Sequence, residues 1–295
     1  MRIPLLRLAP RRLYSTSPPL INIRSIPAPH TGRITVLTLN RPSAKNAISR
    51  ALLSELRTHI TALHAEQKGE TRALIIGSAI DGVFCAGADL KERAGFTPED
   101  TTQFLKDLRG TLRELAALPI PTIAAISSVA LGGGLELALA TTFRIVAPDV
   151  QLALPETRLG ILPGAGGTYR LPRLIGRSRA MDMILTARRV GGVEAAEIGL
   201  ANWVVEVGDK EEGEEGGKEA GAKDEGREKV IEAAVEIALE MCLGGPIALR
   251  AALRAVDGQC EAAENAAYET VVGTKDRNEA LAAFREKRRP VFKGE

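Results

Sequence analysis

Two carboxylates and a run of three glycines are the residues of this chain best suited to chemistry. Glu136 and Glu156 stand in otherwise apolar sequence, and Gly132, Gly133 and Gly134 precede the first of them within the stretch from Pro121 to Glu156. Glycines let a backbone approach a ligand closely and turn its N–H groups outward. Leu135 to Ala140 are good helix formers, which puts Glu136 in the first turn of a short helix. A helix opened by a glycine turn offers free N–H groups and a favourable dipole to an anion. A second glycine-rich segment, Gly164-Ala165-Gly166-Gly167, precedes another helical stretch. Carboxylates and N–H donors without another base point to acid–base work at an activated carbonyl. An enolate forming beside a thioester carbonyl takes two N–H donors at its oxygen. Paired glutamates can hold a water between them, one accepting a proton while the other delivers one. Burial and mutual repulsion then raise at least one of their pKa values.

Other chemistries find less support. The three histidines, His30, His59 and His64, lie far in sequence from this stretch, which weakens a Ser-His or Cys-His hydrolase. Cys85, Cys242 and Cys260 are unclustered, suit a reducing compartment and make no metal-ligand spacing. Cys85 has no basic neighbour and reads as a small packed residue rather than a nucleophile. The 164–167 loop lacks both the dinucleotide and the P-loop patterns. A net charge of +2 gives no whole-chain case for nucleic acid or membrane, and no stretch reads as a transmembrane helix.

The elements that must position these residues alternate between strand and helix. Ile34 to Leu39, Ala73 to Ile76 and Pro121 to Ile126 read as buried strands. Ser49 caps a helix with Leu52, Leu53, Leu56, Ile60 and Leu63 at helical spacing. Thr97-Pro98-Glu99-Asp100 is a capping box opening a helix whose core face is Phe104, Leu105, Leu108, Leu112 and Leu115. Phe143 to Ala147 and Gln151 to Leu154 read as an outgoing and a returning strand, a path that brings Glu156 back toward Glu136. Helices near 178–187 and 193–198 and a strand from Trp203 to Val207 follow. With 295 residues, 45% of them hydrophobic, one large α/β body with a helical tail is expected.

The ends and one internal segment differ in composition. No Asp or Glu precedes Glu55, while Arg2, Arg7, Arg11 and Arg12 fall among Leu, Ser and Thr, the composition of a mitochondrial leader over residues 1–19. The α/β body spans 20–207. The charged, glycine-rich segment 208–227 has nothing to bury and reads as a disordered insertion. Residues 228–295 form the helical region, broken at Gly244-Gly245-Pro246. Lys287-Arg288-Arg289 reads equally as a phosphate contact or a solvated helix end.

The motifs together resemble the enoyl-CoA hydratase/isomerase (crotonase) family. They are Leu39-Asn40-Arg41-Pro42 with Asn46-Ala47, the run Phe84 to Asp89, the run Ala130 to Ala138, and Pro155-Glu156 followed by Leu159 to Thr168. The likeness spans Ile21 to the C-terminus except 208–227. It implies an α/β spiral of ββα units with a helical C-terminal trimerisation region, assembled as a homotrimer or a dimer of trimers. It also implies that the N–H groups of Ala88 and Gly133 form an oxyanion hole and that Glu136 and Glu156 activate water. Lys45, Ala47, Ala86, Asp89, Leu90 and Gly164 are implied to hold the acyl-CoA, although Asp89 by itself reads as a loop-fixing residue. No cofactor is implied, because coenzyme A is part of the substrate. Isomerases of the family commonly keep one such carboxylate, so the pair favours hydration over double-bond migration, and with the leader the expectation is a mitochondrial-matrix hydratase acting on a short or branched enoyl-CoA. Within the family the likeness is to the branch that hydrates methylglutaconyl-CoA and includes an AU-rich-RNA-binding homologue. The helix from Ser49 to Lys68 carries few lysines, however, which speaks against RNA as a partner. Isomerase chemistry and RNA binding on the same fold remain the alternatives.

Overall fold

Pairs of strands followed by helix recur four times along the chain, in a computed structural model that describes residues 18–66, 69–205 and 220–295. The first repeat is β1 (Ile21–Pro27), β2 (Arg33–Leu39) and α1 (Arg50–His64). Ser49 caps α1 by accepting the Leu52 N–H, as its position before an apolar-periodic run predicts. The second is β3 (Thr71–Ser78), β4 (Val83–Cys85), α2 (Leu90–Arg93) and α3 (Pro98–Ala116), and Thr97 and Asp100 form the expected capping box at α3. The third is β5 (Thr122–Ile126), β6 (Val129–Leu131) and α4 (Gly133–Leu139). The fourth is β7 (Phe143–Val146), β8 (Gln151–Ala153), a 3-10 turn at Pro155–Leu159, and α5 (Gly167–Ile175), α6 (Arg177–Thr186) and α7 (Gly192–Glu197). β9 (Trp203–Val204) and four helices complete the chain: α8 (Ala220–Met241), α9 (Pro246–Gly258), α10 (Glu261–Val272) and α11 (Lys275–Glu286).

Each of the last three repeats deals its two strands to different sheets. The first strands join a six-stranded sheet in the order β1-β2-β3-β5-β7-β9, parallel except for the β1–β2 hairpin. The second strands form a three-stranded parallel sheet, β4-β6-β8. Strands buried on both faces read as continuous apolar runs, and β3 and β5 are buried at every position. The core is aliphatic, as a 3% aromatic content requires; Phe84 is the largest of its fully buried side chains. α8 lies across β2, β3, β5 and β7 and buries Val230, Ile231, Ala234 and Ala238.

Three expectations change. β1 precedes the first strand expected, its N-terminal amides held by the Glu55 carboxylate, which accepts from Leu20 and Ile21. β7 and β8 are not an out-and-back pair: β7 lies between β5 and β9, and β8 pairs with β6 in the other sheet. The helical tail begins at Ala220 rather than 228, so the end of the segment expected to be disordered is helix. The rest of that segment and nearly all of the expected leader lie outside the described residues.

Candidate active site

The small parallel sheet decides where the site is. Parallel strands present their carboxyl ends on one side, where open α/β sheets receive ligands. β4 ends at Cys85 and leads into Ala86–Asp89; β6 ends at Leu131 and leads into the glycine triplet; β8 ends at Ala153 and leads to Pro155 and Glu156. Leu131 is in register with Ala153, and the next amide, Gly132 N–H, still donates to the Ala153 carbonyl at 2.9 Å. Three segments distant in sequence thus meet at one rim.

The loop after β4 is held from below. Asn46, fully buried, donates from Nδ2 to the Phe84 carbonyl (3.0 Å) and Ser78 Oγ (2.9 Å), while its Oδ1 accepts the Arg41 N–H. Arg41 in turn pairs with Asp89 at 2.6 Å and donates to the Ala47 carbonyl. Asp89 caps α2 by accepting the N–H groups of Lys91 and Glu92. Burial works against the Asp89 charge, but the Arg41 hydrogen bond and the two amides more than offset it and hold its carboxyl below the usual range. The Cys85 thiol donates to the Asn46 carbonyl at 3.0 Å, and burial pushes its pKa up to about 12, which keeps it an inert packed residue.

This bracing sets two amides beside each other. Ile48 N–H donates to the Gly87 carbonyl and Asp89 N–H to the Ile48 carbonyl, which leaves the intervening Ala88 N–H directed elsewhere. Gly133 opens α4, where a first-turn N–H has no helical acceptor. A Cβ placed on Gly133 would lie 3.7 Å from the Ala88 nitrogen. Gly132 has φ +52°, a conformation that favours glycine, and a Cβ there would sit 3.0 Å from Glu156 Oε1. Gly134 packs closer still, with its Cβ position 2.3 Å from the Cys85 carbonyl oxygen, so α4 lies hard against the end of β4.

The two glutamates line the same cavity with different partners. Glu136 is 2% exposed, and its Oε1 accepts the N–H groups of Ala165 (2.7 Å) and Gly167 (2.8 Å) from the second glycine segment. Burial raises its pKa, opposed by those two amides and by the Arg170 and Arg109 charges. Arg170 also pins that loop, donating to the Ala165 and Leu112 carbonyls. Glu156 is 8% exposed, and its Oε2 is buried with no protein hydrogen-bond partner. Burial first, and then the charge of Glu136, push its carboxyl up to about 7.

Ala86, Ala88, Leu90, Gly133, Glu136, Glu156 and Gly164 line one cavity of about 560 Å³. Lys45, Ala47 and Asp89 do not line it. Lys45 accepts the Ala86 N–H at its carbonyl, Ala47 takes an Arg41 hydrogen bond, and Asp89 braces the loop as described. Part of the lining comes from α3, whose apolar face (Phe104, Leu105, Leu108, Leu112 and Leu115) the sequence assigns to the core. Thr101, Leu105, Leu108 and Arg109 fall four, seven and eight residues along one helical stripe and line the cavity. Helical spacing places Arg109 on that stripe but does not say what the stripe meets. Leu105 therefore faces the cavity, while Phe104, Leu112 and Leu115 face the core. Arg288, in the C-terminal basic triplet, is taken up by Glu279 and Glu286. Among the described residues no cluster of His, Cys, Asp or Glu could hold a metal ion, and no helix is long and apolar enough to cross a membrane.

Comparison with known proteins agrees in both sequence and shape. Residues 30–213 match the family described as enoyl-CoA hydratase/isomerase. An enoyl-CoA isomerase/hydratase of Zymoseptoria tritici is 59% identical, over 93% of this chain and 88% of that protein. Methylglutaconyl-CoA hydratase 1, mitochondrial, of Pyricularia oryzae is 51% identical, over 96% and 90%. The crystal structure of an enoyl-CoA hydratase from Bacillus anthracis superposes with a TM-score of 0.82 at 42% identity, covering 94% of this chain and all of that one.

Proposed function

The chain belongs to the enoyl-CoA hydratase/isomerase family, has its crotonase fold and is a hydratase-type lyase; from that premise we propose that it adds water across the α,β-double bond of a short or branched enoyl-CoA, with methylglutaconyl-CoA the leading candidate. In this reading the thioester oxygen sits against the N–H groups of Ala88 and Gly133, which stabilise the enolate as charge develops. Glu136, whose carboxylate form the Ala165 and Gly167 amides favour, takes a proton from water as the water oxygen bonds to the β-carbon. Glu156, still carrying its proton near neutral pH, gives it to the α-carbon. Proton exchange with solvent restores both carboxyl groups. No cofactor enters the reaction, because coenzyme A arrives with the acyl group.

One observation carries the reading: Glu156, whose buried Oε2 has no protein partner, lines the same cavity as Glu136. A carboxyl oxygen left without a protein partner is costly unless a water or substrate completes it, and a hydratase supplies both. The experiment is hydration of crotonyl-CoA and methylglutaconyl-CoA by the purified protein and by Glu136→Gln and Glu156→Gln. Each substitution is expected to cost about 100-fold or more in kcat; unchanged hydration refutes the roles. Double-bond migration, the alternative within the family, is separated by product analysis on a 3-enoyl-CoA.

The RNA alternative is weakened by α1, where Arg50 and Arg57 pair with Asp100 and Asp107 of α3 at 2.6 and 3.7 Å. Salt-sensitive RNA affinity would revive it. We propose the mitochondrial matrix as the location, supported by the Arg-rich first 19 residues and by the mitochondrial name of the Pyricularia relative; import of a tagged chain tests it. A trimer or dimer of trimers is proposed from the helical end, where Phe284 is 82% exposed and Val256, Tyr268 and Leu281 are exposed with it. Light scattering gives the mass.

A further inference from the structure

The cavity holds a cation that the hydration chemistry leaves unused. Arg109 is fixed by its Nε, which donates to the Gly164 carbonyl at 2.5 Å, so its side chain is pre-positioned on the cavity wall. Among the described residues no carboxylate pairs with it, in contrast to Arg50 and Arg57 on the neighbouring surface. Its two terminal nitrogens remain available in the fork geometry that matches a carboxylate. Its place in the cavity is also defined. Gly164 immediately precedes Ala165, whose amide holds Glu136, and the Arg109 charge is felt at Glu136. Arg93, the other cation lining the cavity, belongs instead to the α2 side with Leu90, and its guanidinium stands 5.9 Å over the Phe104 ring.

A third carboxylate entering beside Glu136 and Glu156 would be repelled unless a cation received it. Resting on the hydratase reading, we propose that Arg109 receives a distal carboxylate on the acyl group, so that the site selects acid-terminated enoyl thioesters over plain alkyl ones. The guanidinium would act as a specificity residue at the far end of the acyl group. The proton transfers would stay with the glutamates.

Glutaryl-CoA and butyryl-CoA differ by one terminal carboxylate, and neither carries a double bond to hydrate. Their dissociation constants are measured by calorimetry on the full-length protein and on Arg109→Gln and Arg109→Lys. Wild type is expected to prefer glutaryl-CoA by roughly 10- to 100-fold, the range of a charge-assisted hydrogen-bonded contact. Arg109→Gln should abolish the preference and Arg109→Lys restore part of it. Because both ligands meet the same protein, a general loosening of the Gly164 loop cancels from the ratio. A wild type without preference, or an Arg109→Gln protein that keeps it, overturns the proposal. The measurement needs no turnover, so loss of the hydratase reading would appear separately, as hydration that survives Glu136→Gln or Glu156→Gln.

Discussion

Replacing Glu156 by glutamine should make the protein more stable in alkaline solution while making it a poor enzyme. Burial and the neighbouring Glu136 charge hold the Glu156 proton to about pH 7, against 4.5 for the free side chain. A carboxyl whose folded-state pKa is raised favours the fold while it is protonated. Its contribution is whole below the unfolded pKa and is lost as pH climbs through the folded one. At about 1.4 kcal/mol for each pH unit, the ionised form costs the fold up to about 3 kcal/mol above pH 7. Glutamine has the shape of the protonated acid and no charge to lose. Wild type and Glu156→Gln should therefore differ little near pH 4.5, and the variant should gain progressively to about 3 kcal/mol by pH 8. Equilibrium urea denaturation at four or five pH values reads this directly, and the pH dependence separates ionisation from any fixed effect of the amide. A difference that stays constant from pH 4.5 to 8 would show that Glu156 is not held protonated, and the acid role would fall with it.

Other consequences follow from the same geometry. Gly134→Ala would drive a methyl group to 2.3 Å from the Cys85 carbonyl oxygen, a backbone atom that cannot swing aside. A loss of at least about 1–3 kcal/mol is expected, read as a lowered Tm. Arg41→Gln removes the partner of Asp89 and should cost about 1–3 kcal/mol near neutral pH. Because the Asp89 carboxyl is held low, that penalty should shrink as pH falls through its titration, and a penalty that grew in acid would contradict the assignment. Cys85, buried with its thiol pushed to about 12, should resist alkylation in the native protein at pH 8 while exposed Cys260 reacts, as peptide mass mapping would show.

Local chemistry was written in the sequence wherever a signal spans a few residues. Ser49 and the Thr97–Asp100 box specify helix starts through side-chain bonds to their own next turn, and the glycines before Glu136 through the positive-φ turn at Gly132; the structure builds all three. The motifs also carried the family, and with it the two glutamates. Three features had no local signal. The meeting of Glu156 with Glu136 comes from the register of β6 with β8, not from a β7–β8 hairpin. The amides that hold Glu136 belong to Ala165 and Gly167, some thirty residues on. Leu105 and Arg109 share a stripe with residues that looked like core, and helical periodicity says which residues share a face without saying what that face meets. Parallel pairing joins strand ends separated by whole ββα units, and its free energy lies in contacts that exist only once those units have stacked. The sequence by itself determined the parts and their family. Only the tertiary structure decided that they enclose one cavity lined by two carboxylates and the Arg109 cation.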